Sequence, residues 1–356
     1  MAPETNASMQ QPRDFPPVRA CIFDMDGLLI DSEDAYTVVT NTILRENGRP
    51  DLPWKIKAQL QGRPSHSAGK IFHEWAQLPI SREQFLTRQA ELQADAFLNC
   101  KPLPGVEKLL RKLQRAHAKS SHGASVSPDP ANKKRVHLAL ATSSHAKNFE
   151  IKTKNMKDLF SVFPQRHVIL GDDPRIPKGR GKPLPDIYLL ALQTINDTLM
   201  VEGEGERPIT PDECLVFEDS VPGVEAGRRA GMRVVWVPHP GLLDVYTGRE
   251  EEVLAGQTGE HKEDDLDHTE GVPLAGSPGY PGELMDGWAE LLASLEEFDF
   301  AKYGIEVGDE RDASANNRPT VDGMTDKELE EMTALADGKR HAPEEPSPPQ
   351  VPRTSL

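Results

Sequence analysis

The chain has 356 residues, a formal net charge of −16 at pH 7 and an apolar share of 37%. That length allows one large domain or two smaller ones, and the low apolar share points to a core diluted by polar insertions and a tail. The acidity excludes a phosphate-rich nucleic acid as a partner, because such binding needs a basic surface, and no apolar run approaches the length of a membrane span.

Residues 1–17 are polar and Pro-rich and read as a disordered lead-in, without the apolar stretch of a secretory signal. Residues 18–23 form an apolar run that ends at Asp24, the pattern of a buried strand. Residues 33–100 carry helical spacing instead (Tyr36, Val39, Thr40, Ile43, Leu44) and make a block of the size of a small inserted domain. A Pro/Gly turn at 102–105 precedes a helix with Val106, Leu109, Leu110 and Leu113 on one face. Residues 117–134 read as a polar loop insertion. Further apolar runs at 136–141, 168–170, 215–217 and 234–237 read as strands, the first of these ending at Thr142 and the third at Glu218. Helices are predicted between them at 186–195 and 222–230, the latter with Pro222 early and Gly231 just past its end. Residues 245–283 read as a long acidic loop, 288–300 as a helix or short packed segment, and 306–356 as a disordered acidic, Pro-rich tail.

Alternating strands and helices predict an α/β fold: a Rossmann-like parallel sheet spanning 18–32 and 101–305, with the helical block 33–100 inserted as a cap. The three cysteines, Cys21, Cys100 and Cys214, have neither the number nor the spacing of a disulfide framework or a zinc knuckle. They fit a reducing compartment, and a cytoplasmic location is expected.

The chemistry gathers where strands end, which is where open parallel sheets bind ligands. Asp24 closes the first strand; two residues on, Asp26 can turn back to the same place because Gly27 frees the backbone. Paired carboxylates suit a division of labour between nucleophile and acid/base, although the same residues make an Asx-rich turn. Neighbouring negative charge is expected to favour the protonated form of Asp26. Thr142-Ser143-Ser144 offers a hydroxyl and successive amides as a phosphate cradle, although taken alone such residues are more often a helix N-cap. Lys182, in Gly181-Lys182-Pro183, can balance carboxylate and phosphate charge or sit solvated on the surface. Glu218-Asp219 can hold a hard cation such as Mg²⁺, or cap the following helix. The four together, in this order and each at a strand end, favour the catalytic alternatives.

These segments, FDMDGLLIDSE (23–33), LALATSS (138–144), GKPLPDI (181–187) and LVFEDSVPGVEAG (215–227), resemble the haloacid dehalogenase-like hydrolase superfamily. Within it, LATSSHAKNFEIKT (140–153), VILGDDP (168–174) and, more loosely, GRPSHSAGKIF (62–72) are similar to the branch of pseudouridine-5′-phosphatase and the β-phosphoglucomutase-like phosphatases. The resemblance implies a Mg²⁺-dependent phosphatase acting through an aspartyl-phosphate. Asp24 would be the nucleophile and Asp26 the acid and base. Thr142 and the Ser143 amide would bind phosphate, and Lys182 would steady the charge. Asp24, the Asp26 carbonyl and Asp219 would bind Mg²⁺, with Glu218 beside them. Arg63 and His66 of the cap are candidates to reach the substrate, or residues that pack within the cap. The expected partner is a small phosphorylated metabolite, a nucleotide or sugar monophosphate, with pseudouridine 5′-phosphate favoured by resemblance. A phosphomutase and a non-enzymatic binding module on the same scaffold are the alternatives; the intact set of motif residues disfavours the second.

Overall fold

The structure, a computed structural model, describes residues 15–63, 65–119, 134–202, 206–259 and 282–308, with the side chains of 65–67 excepted. The lead-in before residue 15, the centre of each insertion and the tail beyond residue 308 lie outside the described residues.

A short strand, β1 (Ala20–Phe23), delivers the chain to Asp24 and then to four helices: α1 (Ser32–Glu46), α2 (Trp54–Leu60), α3 (Ser65–Ala76) and α4 (Arg82–Ala96). Helix α4 opens with a reciprocal capping box between Ser81 and Gln84. These helices bury their own apolar cluster of Val39, Ile43, Leu44, Phe72, Ala76 and Phe85. The chain returns through α5 (Val106–Leu113), whose Val106, Leu109, Leu110 and Leu113 are all buried. Each such side chain contributes about 1.5–3 kcal/mol by leaving water, which is why that face docks on the sheet.

The chain continues through β2 (His117–Ala118), β3 (His137–Ala141), α6 (Ala146–Thr153), α7 (Lys157–Phe160) and β4 (Val168–Ile169). After α8 (Asp186–Glu202) come β5 (Cys214–Glu218), α9 (Val221–Arg229) and β6 (Arg233–Trp236). Last are α10 (Pro240–Val245), α11 (Glu250–Ala255), β7 (Ala289–Leu291) and β8 (Ile305–Glu306). Six strands pair in the order β4-β3-β1-β5-β6-β7, every pairing parallel.

In β1, Cys21 and Phe23 enter one core cluster with α5, while Ala20 and Ile22 enter the other with α8 and α9. A strand covered on both faces must be apolar at every position, which explains its unbroken run. After β1 the chain runs to β3 on one side and later returns to β5 on the other. The topological switch therefore lies at the carboxyl end of β1, between β3 and β5. Cys21 and Cys214 lie on the adjacent strands β1 and β5, in register one step apart, and both are fully buried.

Several stretches differ from their sequence reading. Residues 15–17, expected within the disordered lead-in, are placed: Phe15 packs edge-on against Trp288 at 5.1 Å and the Pro16 carbonyl accepts from Arg233 at 2.6 Å. The loop expected over 245–283 contains α11, which packs on α9 through buried Val253 and Ala255. The segment expected as a helix or packed piece at 288–300 begins with β7, because its backbone adds to the edge of β6. The insertion expected as loop over 117–134 starts as β2, paired antiparallel with β8. Among the described residues no helix is long and apolar enough to cross a membrane.

Candidate active site

The sheet's carboxyl edge gathers the predicted residues. Asp24 follows β1 directly, and its amide donates to the Phe217 carbonyl of β5 at 3.0 Å, which locks it to the neighbouring strand. Lys182 sits in a turn with a cis Lys182–Pro183 peptide and is 2% exposed. Its ammonium donates to Asp24 Oδ1 at 2.5 Å, to Glu218 Oε1 at 2.6 Å and to the Ala141 carbonyl at 3.2 Å. The sequence alternative of a solvated surface lysine is thereby excluded.

Glu218 is fully buried and engaged at both oxygens. Oε1 also accepts from the Tyr188 hydroxyl at 2.6 Å, and Oε2 accepts from the amides of Asp219 and Ser220 and from the Ser220 hydroxyl. Gly223, in the first turn of α9, packs so closely on this carboxylate that any Cβ there would collide with it. Asp219 Oδ2 accepts from Gln61 at 2.5 Å, a contact between the sheet edge and the end of α2. Gly27 turns with φ +80°, and a Cβ on it would run into Asp219, so the Asp24–Gly27 loop needs glycine twice over.

Asp26 points elsewhere than Asp24. Its Oδ1 accepts from Ser32 at 2.5 Å and from the Lys152 ammonium; its Oδ2 accepts from Ser144 at 2.6 Å and more weakly from Thr142 at 3.4 Å. The Thr142 hydroxyl also accepts from the Ser144 amide at 3.1 Å, so it organises the turn after β3. Ser143 lines the cavity beside it.

Burial pushes the Asp24 carboxyl up to about 7; Lys182 opposes this, while negative charge on Glu218 and Asp26 adds to it. Burial, then Glu218, Asp24 and Glu33, push Asp219 well above the usual carboxylate range against Lys182. Burial works to lower Lys182, but Asp24 and Glu218 leave it above its ordinary value. Asp26 goes the other way. Burial raises it, yet Lys152, Ser144 and Ser32 together hold it below its ordinary value. The expectation that negative neighbours favour protonated Asp26 is thus corrected: its nearest charge is the cation Lys152, which sequence reading did not single out.

A testable sign follows for the metal-free protein. Asp24 has a folded pKa above its unfolded value, so between about pH 4 and about pH 7 the folded state keeps a proton that the unfolded chain releases. Its contribution is fully present below the unfolded pKa and is lost as pH rises through the folded one. The stability of the wild type relative to Asp24→Asn, measured by urea unfolding in chelator, is expected to fall as pH rises through that window. A difference that stays flat or rises contradicts the shift.

Among the described residues, no three His, Cys, Asp or Glu side chains are spaced around a common cation position. Of the expected set of Asp24, Asp26, Asp219 and Glu218, the Glu218 carboxylate is engaged by Lys182, Tyr188 and the Ser220 turn, and the Asp26 carboxylate by Lys152, which leaves to Asp26 the carbonyl that the resemblance implied. What remains still suits a hard cation. Asp24, Glu218 and Asp219 place three buried carboxyl groups around one ammonium, and a bound cation would favour the ionised forms that burial opposes.

These groups open into a cavity of about 390 Å³ between the sheet edge and the helices α1 to α4. Asp24, Asp26, Thr142, Ser143, Lys182 and Asp219 line its floor. Arg63, Phe72, His73, Phe85, Gln89 and Gln93 line its upper walls. Arg63 is thus placed at the cavity; the His66 side chain lies outside the described residues. Sequence reading missed Gln61, Tyr188, Ser32 and Lys152, and it gave Ser144 a place in the phosphate cradle rather than at Asp26. Ser32 and Ser144 lie within motifs already singled out and Lys152 within the stretch 140–153, but helical spacing alone separates neither Lys152 nor Tyr188 from ordinary helix residues.

Residues 18–231 match the family model of the haloacid dehalogenase-like hydrolase. The chain belongs to that family. Among its relatives is a Saccharomyces cerevisiae protein named probable pseudouridine-5′-phosphatase, 36% identical over 81% of this chain and 98% of the other. A Drosophila melanogaster protein of the same name is 38% identical over 67% of this chain and 89% of its own. The Arabidopsis thaliana protein named (DL)-glycerol-3-phosphatase 1, mitochondrial, is 34% identical over 66% of this chain and 68% of its own. The matched region carries the floor of the cavity, so this hydrolase places its family's motifs at one sheet edge, under a helical roof.

Proposed function

We propose that this hydrolase is a Mg²⁺-dependent phosphatase of small phosphomonoesters. The observation that carries the reading is the convergence of Asp24, Lys182 and Asp219 at the topological switch point, on the floor of a cavity beneath the inserted helices. The names of the relatives support it.

The Asp24 carboxylate attacks phosphorus in line with the leaving oxygen, forming an aspartyl-phosphate as the P–O bond to the alcohol breaks. Lys182 offsets the repulsion between that carboxylate and the phosphate. Asp26 gives a proton to the departing oxygen, then takes one from the water that releases phosphate and restores Asp24. A bound phosphate dianion opposes Lys152 and raises Asp26 toward the protonated form that the first step needs. The turn at Thr142 and Ser143 offers a hydroxyl and an amide to the phosphate oxygens. Asp24, Asp219 and the Asp26 carbonyl would hold Mg²⁺, which would supply positive charge for the phosphate. The roof excludes bulk water during transfer.

Phe72, His73 and Phe85 with Gln89 and Gln93 line a cavity suited to a polar planar group. Among such substrates pseudouridine 5′-phosphate is favoured by the names of the yeast and fly relatives. The test is phosphate release with Mg²⁺ from pseudouridine 5′-phosphate, UMP, FMN, glycerol 3-phosphate and hexose phosphates. Release from one compound well above the rest is expected, stopping in excess chelator and returning with Mg²⁺. Full activity in chelator overturns the metal assignment, and primed interconversion of hexose phosphates without net release makes the protein a mutase instead.

A further inference from the structure

Lys152 enters the proposed reaction only as a charge that the phosphate opposes, yet it is among the most deeply buried charges of the described residues, 1% exposed. Burying an ammonium is strongly unfavourable unless its donors are paired. Its three partners are the Asp26 carboxylate, the Ser144 hydroxyl at 2.9 Å and the Tyr36 hydroxyl at 3.0 Å. The ammonium also sits 4.6 Å from the ring centres of both Tyr36 and Phe97, which pack edge-on at 4.9 Å. An ammonium between two rings and three oxygens has little freedom to move.

That slot has a direction. Lys152 approaches Oδ1 of Asp26, while Ser144, itself held by Lys152, donates to Oδ2 at 2.6 Å. Both carboxylate oxygens are thus held by a single connected pair, with Ser32 adding a second donor to Oδ1 at 2.5 Å. The helix α6 that carries Lys152 belongs to the core, whereas Tyr36 stands on α1, so the grip spans core and roof. Lys152 touches the acid/base candidate, whereas the ion pairs to the nucleophile and to Glu218 come from Lys182.

We propose that Lys152 is a positioning residue for the reaction: with Ser144 and Tyr36 it fixes the Asp26 carboxyl in the cavity wall, so that the leaving oxygen meets it in one orientation. This rests on Asp26 as the acid of the proposed phosphatase. Without Lys152, Asp26 keeps only the hydroxyls of Ser32, Ser144 and Thr142 and is held less firmly, so proton delivery to the leaving oxygen suffers while phosphate binding does not.

Leaving groups separate this from a structural role. A nitrophenolate departs without a proton, whereas an alkoxide needs one. In addition, kcat/KM reports only steps up to departure of the leaving group, so hydrolysis of the aspartyl-phosphate does not mask the effect. In Lys152→Met, kcat/KM for an alkyl phosphate, glycerol 3-phosphate or a nucleoside 5′-monophosphate, is expected to fall about tenfold or more beyond its fall for p-nitrophenyl phosphate. Asp26→Asn should show the same bias, and Lys152→Arg should recover part of it. Equal losses on both substrates overturn the proposal. If Lys152→Met does not fold, the ratio is read on Lys152→Arg and Tyr36→Phe, and an unchanged ratio in both also overturns it. Wild-type protein that releases phosphate from neither substrate defeats the phosphatase reading, a result distinct from an unbiased variant of an active enzyme.

Discussion

Phosphate release by Asp24→Asn is expected to fall about 10⁴-fold or more at saturating substrate and Mg²⁺, the scale seen when a covalent catalyst loses its nucleophile. A carboxamide keeps the shape of the carboxylate but has no anion to attack phosphorus. Fold should survive. Asp24 is buried, and its charge is opposed by Glu218 and Asp26 as well as favoured by Lys182. In the variant, Lys182 keeps Glu218 at 2.6 Å as its partner. The thermal midpoint in chelator should therefore stay where it was or rise. The check is initial rates beside circular-dichroism melts on one preparation. An active, folded Asp24→Asn protein would rule out the aspartyl-phosphate.

Lys182→Met should damage both function and fold. Methionine fills a similar volume, but Asp24 and Glu218 both lose the ammonium that touches them. Removing one member of a buried charged set costs about 3–5 kcal/mol, because the partners stay buried without compensation. Activity should drop at least about 100-fold, as expected when a charge-stabilising donor is lost. The two losses should respond differently to metal. Mg²⁺ bound to the folded state should return part of the stability by mass action, without restoring the group that met the nucleophile. Urea unfolding in chelator and in Mg²⁺, beside turnover, reads both. A stability change below about 1 kcal/mol would mean that the carboxylates simply take up protons when the lysine is gone.

Most parts of this arrangement that were legible in the sequence, Asp26 and the Lys182 turn excepted, share one property: each is a polar residue directly after an unbroken apolar run. Asp24, Thr142 and Glu218-Asp219 announce themselves because a strand buried on both faces is apolar to its last residue, and the change of character marks the sheet edge. The parallel order followed from helices between those runs. Lys152 and Tyr188 gave no such sign. Each lies inside a helix, and what matters about them is a partner 126 or 30 residues away, a distance that no local pattern encodes. Gln61 was hidden likewise, since its contact with Asp219 depends on where the roof sits over the sheet. The ionisation of Asp26 was misjudged for the same reason: its neighbours in sequence are acidic, but its neighbour in space is a lysine. Strand β7 was obscured because an edge strand is only half covered and its three residues show neither a long apolar run nor clear alternation.

The cysteines give the molecule an internal gauge of its own opening. Only a thiolate reacts readily with alkylating agents, and burial pushes the thiols of Cys21 and Cys214 above their ordinary range. They lie on the two strands that also carry Asp24 and Glu218, so their sulfurs meet solvent only when the middle of the sheet comes apart. Cys100 is placed differently, 7% exposed at the junction where the helical roof rejoins the core, with its thiol raised to about 11 by burial. A limited movement at that junction uncovers it without disturbing the sheet. One chain therefore carries a slow chemical clock for opening of the sheet and a faster one for the place where its inserted helices rejoin the core.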